Sequence, residues 1–161
     1  MAAGLVCAAL PAAAQSREPT PEKVEGLTYL ARINIAEAVL DDGTKVPPET
    51  PEEFARPLMP RALEVKIIRR GDLSAQMEAC QLDWREGSFL PFMRALRANG
   101  YAGKAMAYAG ILHGMSQGVA ALSLGEPGPC PAEKAAALKA EAGQLPADRP
   151  EPGPATARAG S

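Results

Sequence analysis

AMAYAGILHGMSQGVAALSL, residues 105–124, runs for twenty positions without a formal charge, and how it is read decides the fold. A helix of that length is sufficient to cross a bilayer. His113, Ser116 and Gln117 interrupt its middle, however, and three glycines add little apolar surface. The stretch is therefore expected to be the central helix of a soluble bundle, with Tyr108, Ile111, Leu112, Met115, Val119 and Leu122 on a broad apolar side. Gly110, Gly114 and Gly118 recur every four residues on another side. Such a small-xxx-small ridge predicts close packing of a second helix, from the same chain or from another copy in a homo-oligomer.

Working outward, Gly125-Glu126-Pro127-Gly128-Pro129 breaks the chain, and Pro131 opens a helix from Ala132 to about Gly143. Upstream, Ser88 is expected to cap a helix carrying the stripe Phe89, Phe92, Met93 and Leu96, which Asn99-Gly100 ends. Before it, Asp72 is expected to cap a helix burying Leu73, Met77 and Cys80, with Trp84 one turn beyond. An earlier helix begins at Pro60, buries Ala62, Val65 and Ile68, and should stop near Gly71. Further upstream, Val24, Leu27, Ala31, Ile35 and Ala38 mark a helix over 24–40, widened by Leu30, Ile33 and Leu40 and stopped by Asp41-Asp42-Gly43. Prolines 47, 48, 51, 57 and 60 leave 44–60 as a wrapped loop with one helical turn near Glu52 to Ala55. A hairpin across Asp42-Gly43 competes with the end of that first helix, but Pro47 cuts its second strand short. The fold class is all-α: a small orthogonal bundle of about five helices.

The ends read differently. Residues 1–14 are small and apolar, and Ala12-Ala13-Ala14 ahead of Gln15 fits a signal-peptidase site, although no Lys or Arg precedes Arg17. Residues 146–161 are rich in Pro and Ala and are expected to be a disordered tail. The helical domain then occupies 15–145. Export would remove Cys7 and leave Cys80 and Cys130, an even pair in an oxidising compartment, hence one disulfide and a periplasmic or secreted location. Closing so long a loop stabilises by roughly 3–4 kcal/mol in the chain-entropy model.

Composition narrows the chemistry. A net charge of -2 gives no drive onto nucleic acid, and 4% aromatic residues leave few stacking platforms. With His113 the single histidine, a site needing two imidazoles cannot form within one chain. Phosphate loops, H-E-x-x-H and G-x-S-x-G are missing from the sequence, so no catalytic residue, metal or cofactor is assigned. The candidate binding residues are Asp83, Trp84, His113 and Gln117, with Asp83 as an imagined partner for the His113 ring. Trp84 is also suited to sealing the helix corner above a disulfide.

The block from Cys80 to Gly118, with Cys80-x-Leu82-Asp83-Trp84, Ser88-Phe89, Arg97-x-x-Gly100 and Leu112-His113-Gly114-x-x-Gln117-Gly118, resembles small exported proteins of unknown function from Gram-negative bacteria. That resemblance brings no activity with it. In architecture alone, the long-range cysteine pair is similar to that of periplasmic acid-stress chaperones of the HdeA type, and no functional residue carries over. The expected function is a non-enzymatic periplasmic protein binding a protein or envelope component. In a chaperone-like variant the domain would loosen to expose Phe89, Phe92 and Met93. Two alternatives are a ligand-binding protein or enzyme using His113 near Asp83 and Trp84, and a membrane-associated oligomer built on Gly110, Gly114 and Gly118.

Overall fold

The computed structural model describes residues 18–40 and 42–144, so the expected signal peptide and Pro-rich tail lie outside the described residues. Within them the protein is all-α, in the order α1 (Pro21–Ile33), a 3-10 turn (Ile35–Glu37), α2 (Pro51–Phe54), α3 (Arg61–Ala79), a π-helical segment (Arg85–Phe89), α4 (Leu90–Ala98), α5 (Gly103–Ala121) and α6 (Ala132–Gln144). Among the described residues no helix is long and apolar enough to cross a membrane.

Thr20 caps α1, and Pro21 occupies its first turn, where a missing N–H costs nothing. Val24, Leu27 and Ala31 are buried as expected. The helix does not reach Leu40. Asn34 donates its side-chain amide to the Leu30 carbonyl at 2.8 Å, competing with the backbone ladder, and the chain turns out after Ile33. Leu30 and Ile33, expected to widen the buried face, are exposed. Residues 38–40 instead pair with 44–46 in one antiparallel bridge, Val39 with Lys45, flanked by Leu40 N–H to Thr44 O at 2.7 Å and Val46 N–H to Ala38 O at 3.0 Å. Gly43, at φ +83°, makes that reversal, and Pro47, which has no N–H to donate, ends the pairing. The helical turn expected near Glu52 is α2, with a reciprocal cap between Thr50 and Glu53. Arg32 holds the loop in place through an ion pair with Glu49 and bonds to the Arg56 and Glu53 carbonyls, each at 2.9 Å.

The chain does not stop at Gly71. A single nineteen-residue helix, α3, runs through Gly71-Asp72. A Cβ at Gly71 would stand 2.6 Å from both the His113 carbonyl oxygen and the Ser116 Cβ, so the glycine is where α3 and α5 cross in contact. Asp72 does not cap a helix; it accepts from Lys23 at 2.7 Å and from Ser116 at 2.8 Å, tying α1 and α5 to α3. Ser88 is likewise no cap: it lies buried inside the π-helical segment, and the Asp83 carboxylate receives the Glu86 N–H at 3.0 Å. Phe92, Met93 and Leu96 of α4 are buried, and Asn99-Gly100 ends that helix with Gly100 at φ +89°.

Two apolar clusters result. The larger joins Leu27, Ile67, Ile68, Phe92, Leu96 and Leu112 from α1, α3, α4 and α5. The smaller joins Leu73, Met77 and Cys80 with Leu138 and Ala142 of α6, and Leu82, Trp84 and Cys130 pack against it. The Cys80–Cys130 disulfide, spanning 50 residues with Cα atoms 4.9 Å apart, staples α6 to the end of α3. Trp84 seals that corner.

Candidate functional site

The densest polar chemistry lies between the two clusters. On α3, Arg70 and Ser74 are one helical turn apart and face the same way. On α5, His113 looks across at them, the π-helical segment supplies Ser88, and α6 supplies the Ala142 carbonyl. The Ser74 hydroxyl lies 3.0 Å from His113 Nε2 and 3.3 Å from Ser88 Oγ. Arg70 Nη1 donates to Ser88 Oγ at 3.3 Å and to Ala142 O at 2.9 Å. Arg70, Ser74 and Ser88 have no exposed surface, and His113 retains 2%.

Aromatic rings close the site. Trp84 stacks on the His113 ring with centroids 6.1 Å apart, Phe89 lies 4.6 Å from it, and the Arg70 guanidinium sits over Phe92 at 5.1 Å. Burial, with the Arg70 charge nearby, pushes the His113 pKa down to about 4, so the ring is neutral at neutral pH. Burial also lowers Arg70 to about 10, while Glu141 favours its charged form. Arg70 Nε and Nη2 are buried without a hydrogen-bond partner, which makes this an energetically costly place to add charge.

The sequence candidates therefore divide. His113 and Trp84 come together as expected. The expected pairing of His113 with Asp83 does not form: the ring bonds Ser74, and Asp83 is exposed and engaged with Glu86. Gln117, on the α3 side of α5, donates to Glu78 at 2.7 Å. Sequence reasoning missed Arg70, Ser74 and Ser88, because stopping the helix at Gly71 separated Arg70 from Ser74 and capping at Ser88 turned its hydroxyl outward. A serine hydroxyl against an imidazole is a nucleophile and base in outline. Here both groups lie beneath Trp84 and Phe89, beyond the reach of a substrate in this conformation.

A second feature lies on the opposite side of α5. Ala107, Gly110, Ile111, Gly114, Gly118 and, at its end, Leu122 form an uncharged outer stripe that is half-buried to exposed, with Leu122 at 89%. The ridge expected to receive a helix of this chain receives none: a Cβ at Gly114 or Gly118 meets nothing within 4 Å, and at Gly110 only the Met93 Cε at 4.0 Å. Close helix approach occurs instead at Gly71. Beside the stripe, Val39, Leu40, Ala107, Gly110 and Ile111 border an open groove of about 490 Å³. The two hydrogen bonds of the short ribbon flank the Val39 and Lys45 pair, so the N–H and C=O of exposed Val39 point away from its partner strand.

Among the described residues, no group of three or more His, Cys, Asp or Glu side chains is placed to hold a metal. No protein-family model matches the chain, and comparisons with curated proteins and with solved structures found no match.

Proposed function

We propose that the chain is an exported, non-enzymatic helical protein, periplasmic or secreted, that binds an extended segment of another envelope protein. The observation that carries this reading is the open edge of Val39 beside the uncharged outer stripe of α5. The outward backbone of Val39 supplies one donor and one acceptor without regard to sequence, and the adjoining groove, lined by Leu40, Ala107 and Ile111 together with Asp42 and Arg97, takes side chains of the added segment. The Cys80–Cys130 disulfide supports the compartment, since such bonds persist in oxidising environments. An enzyme built on His113 is the weaker reading, because Ser74 and His113 are enclosed.

The test is site-specific photocrosslinking in cells. A photoreactive side chain at Val39 is expected to capture an exported protein, and one at exposed Lys139 on α6 is not. Gly110→Leu, which fills the groove from a position where a side chain has room, should abolish the Val39 adduct. Equal adducts at both positions, or an adduct indifferent to Gly110→Leu, would overturn the reading. An adduct with a second copy of the chain would replace it by self-assembly on this face.

A further inference from the structure

The enclosed polar cluster has a geometry that goes beyond the docking face. Its floor is a close helix crossing and its cover is one continuous segment. The floor is α3 against α5, fixed where Gly71 touches the His113 backbone. The cover is 84–92: Trp84 and Phe89 on the His113 ring, Ser88 between Arg70 and Ser74, and Phe92 beneath the Arg70 guanidinium. Left-handed backbone brackets this segment and α4, at Gln81 (φ +55°) and at Gly100 (φ +89°). Its middle is π-helical, a geometry found at functional irregularities rather than in the most regular helices.

We propose that this cluster is an acid-operated latch: a proton taken up by His113 sets two cations in one enclosed site and releases the π-helical segment and α4 from the α3–α5 pair, uncovering Phe89, Phe92 and Met93.

The charges around the ring support this direction. From α3 the ring meets Arg70, a cation, and the neutral Ser74 hydroxyl. The acidic groups of α3 are committed, Glu64 to Tyr108, Asp72 to Lys23 and Ser116, and Glu78 to Gln117. Asp83, Arg85 and Glu86 of the cover are exposed, as are Arg94 and Arg97 of α4. From α6, Glu141 acts on Arg70, and Lys139 is exposed. On α5 itself, Ser116 and Gln117 are neutral, and Lys104 at the far end bonds Glu53. The closed state therefore favours the neutral ring, whereas an opened cover lets water solvate the imidazolium. α3 and α5 pack along most of their length, whereas the cover meets that pair less extensively, through the rings of Trp84, Phe89 and Phe92, through Ser88, and through Met93 and Leu96 of α4.

Hydrogen exchange on the full disulfide-bonded protein, corrected for intrinsic rates, tests the latch. Protection in 84–98 is expected to fall about tenfold per pH unit from about pH 6 to about pH 4.5, with α3 and α5 keeping theirs. In His113→Gln, a neutral side chain able to bond Ser74, protection in 84–98 should not change with pH. A second readout needs no variant: His113 is the single histidine, so its ring resonances in the native protein are unambiguous. Titration of the folded ring at the ordinary histidine value overturns the proposal. So does an acid loss of protection that persists in His113→Gln, or one that spreads equally through α3 and α5.

Discussion

The backbone of His113 lies directly against Gly71: a Cβ added to the glycine would stand 2.6 Å from the His113 carbonyl oxygen. Two helices cross there with no room for a side chain, and the contact is with backbone and so cannot swing aside. Gly71→Ala is expected to destabilise the fold by about 1–3 kcal/mol despite the better helix propensity of alanine. Gly114→Ala, at a helical position with nothing within 4 Å, should be neutral or stabilising by up to about 1 kcal/mol. Urea unfolding of the two variants side by side separates packing from propensity.

Reduction of Cys80–Cys130 should lower stability by roughly 3–4 kcal/mol in the chain-entropy model. The loss should begin at α6, whose buried side chains are Leu138 and Ala142 and which presents few others to the core. Exchange protection in 132–144 would fall before that of α3 on adding reductant. Simultaneous loss throughout would show that α6 is not the weak element.

Acid should destabilise the native state through His113. Burial lowers its folded pKa to about 4 from the ordinary histidine value of 6.5, so above pH 6.5 neither state carries the extra proton and stability is independent of this group. Between the two values the unfolded chain binds a proton that the folded chain refuses, and stability falls as pH falls. The slope is about 1.4 kcal/mol per pH unit and levels off below about pH 4. Denaturant titrations of the parent and His113→Gln across this window should diverge, with the variant the flatter of the two.

Tyr108 donates to the Glu64 carboxylate at 2.7 Å in a buried setting, and burial with that bond raises the tyrosine pKa. Tyr108→Phe keeps the ring and removes the donor, so it should cost about 1–3 kcal/mol. Thermal and urea unfolding would both register this, and an unchanged midpoint would mean that water replaces the hydroxyl.

The helices at 90–98, 103–121 and 132–144 were legible because each carries a periodic face or a proline start, with termini marked by Asn99-Gly100 and by the Pro-rich break. The cysteine pairing was legible from parity once Cys7 is set aside with the expected signal peptide. Gly71-Asp72 misled because a glycine followed by a capping residue has the same local signature whether the chain stops or another helix passes close by. Ser88 misled for a related reason: a serine before an apolar stripe suits a cap, and only the long-range presence of Arg70 and Ser74 turns it inward. The partner of His113 was beyond periodicity altogether, since Ser74 lies 39 residues away on another helix. Val39 was legible only as the weaker of two readings, because Asn34, which stops α1, sits among residues that continue its apolar pattern.

The Cys80–Cys130 link makes residues 80–130 a covalent ring containing the π-helical segment, α4 and α5, with α3 and α6 leaving it as two arms from neighbouring points. A single backbone cut between α4 and α5, at Asn99 to Ala102, would leave a nicked molecule of unchanged connectedness. It would migrate as one species until reductant divided it into two, one carrying α1 to α4 and the other α5 and α6.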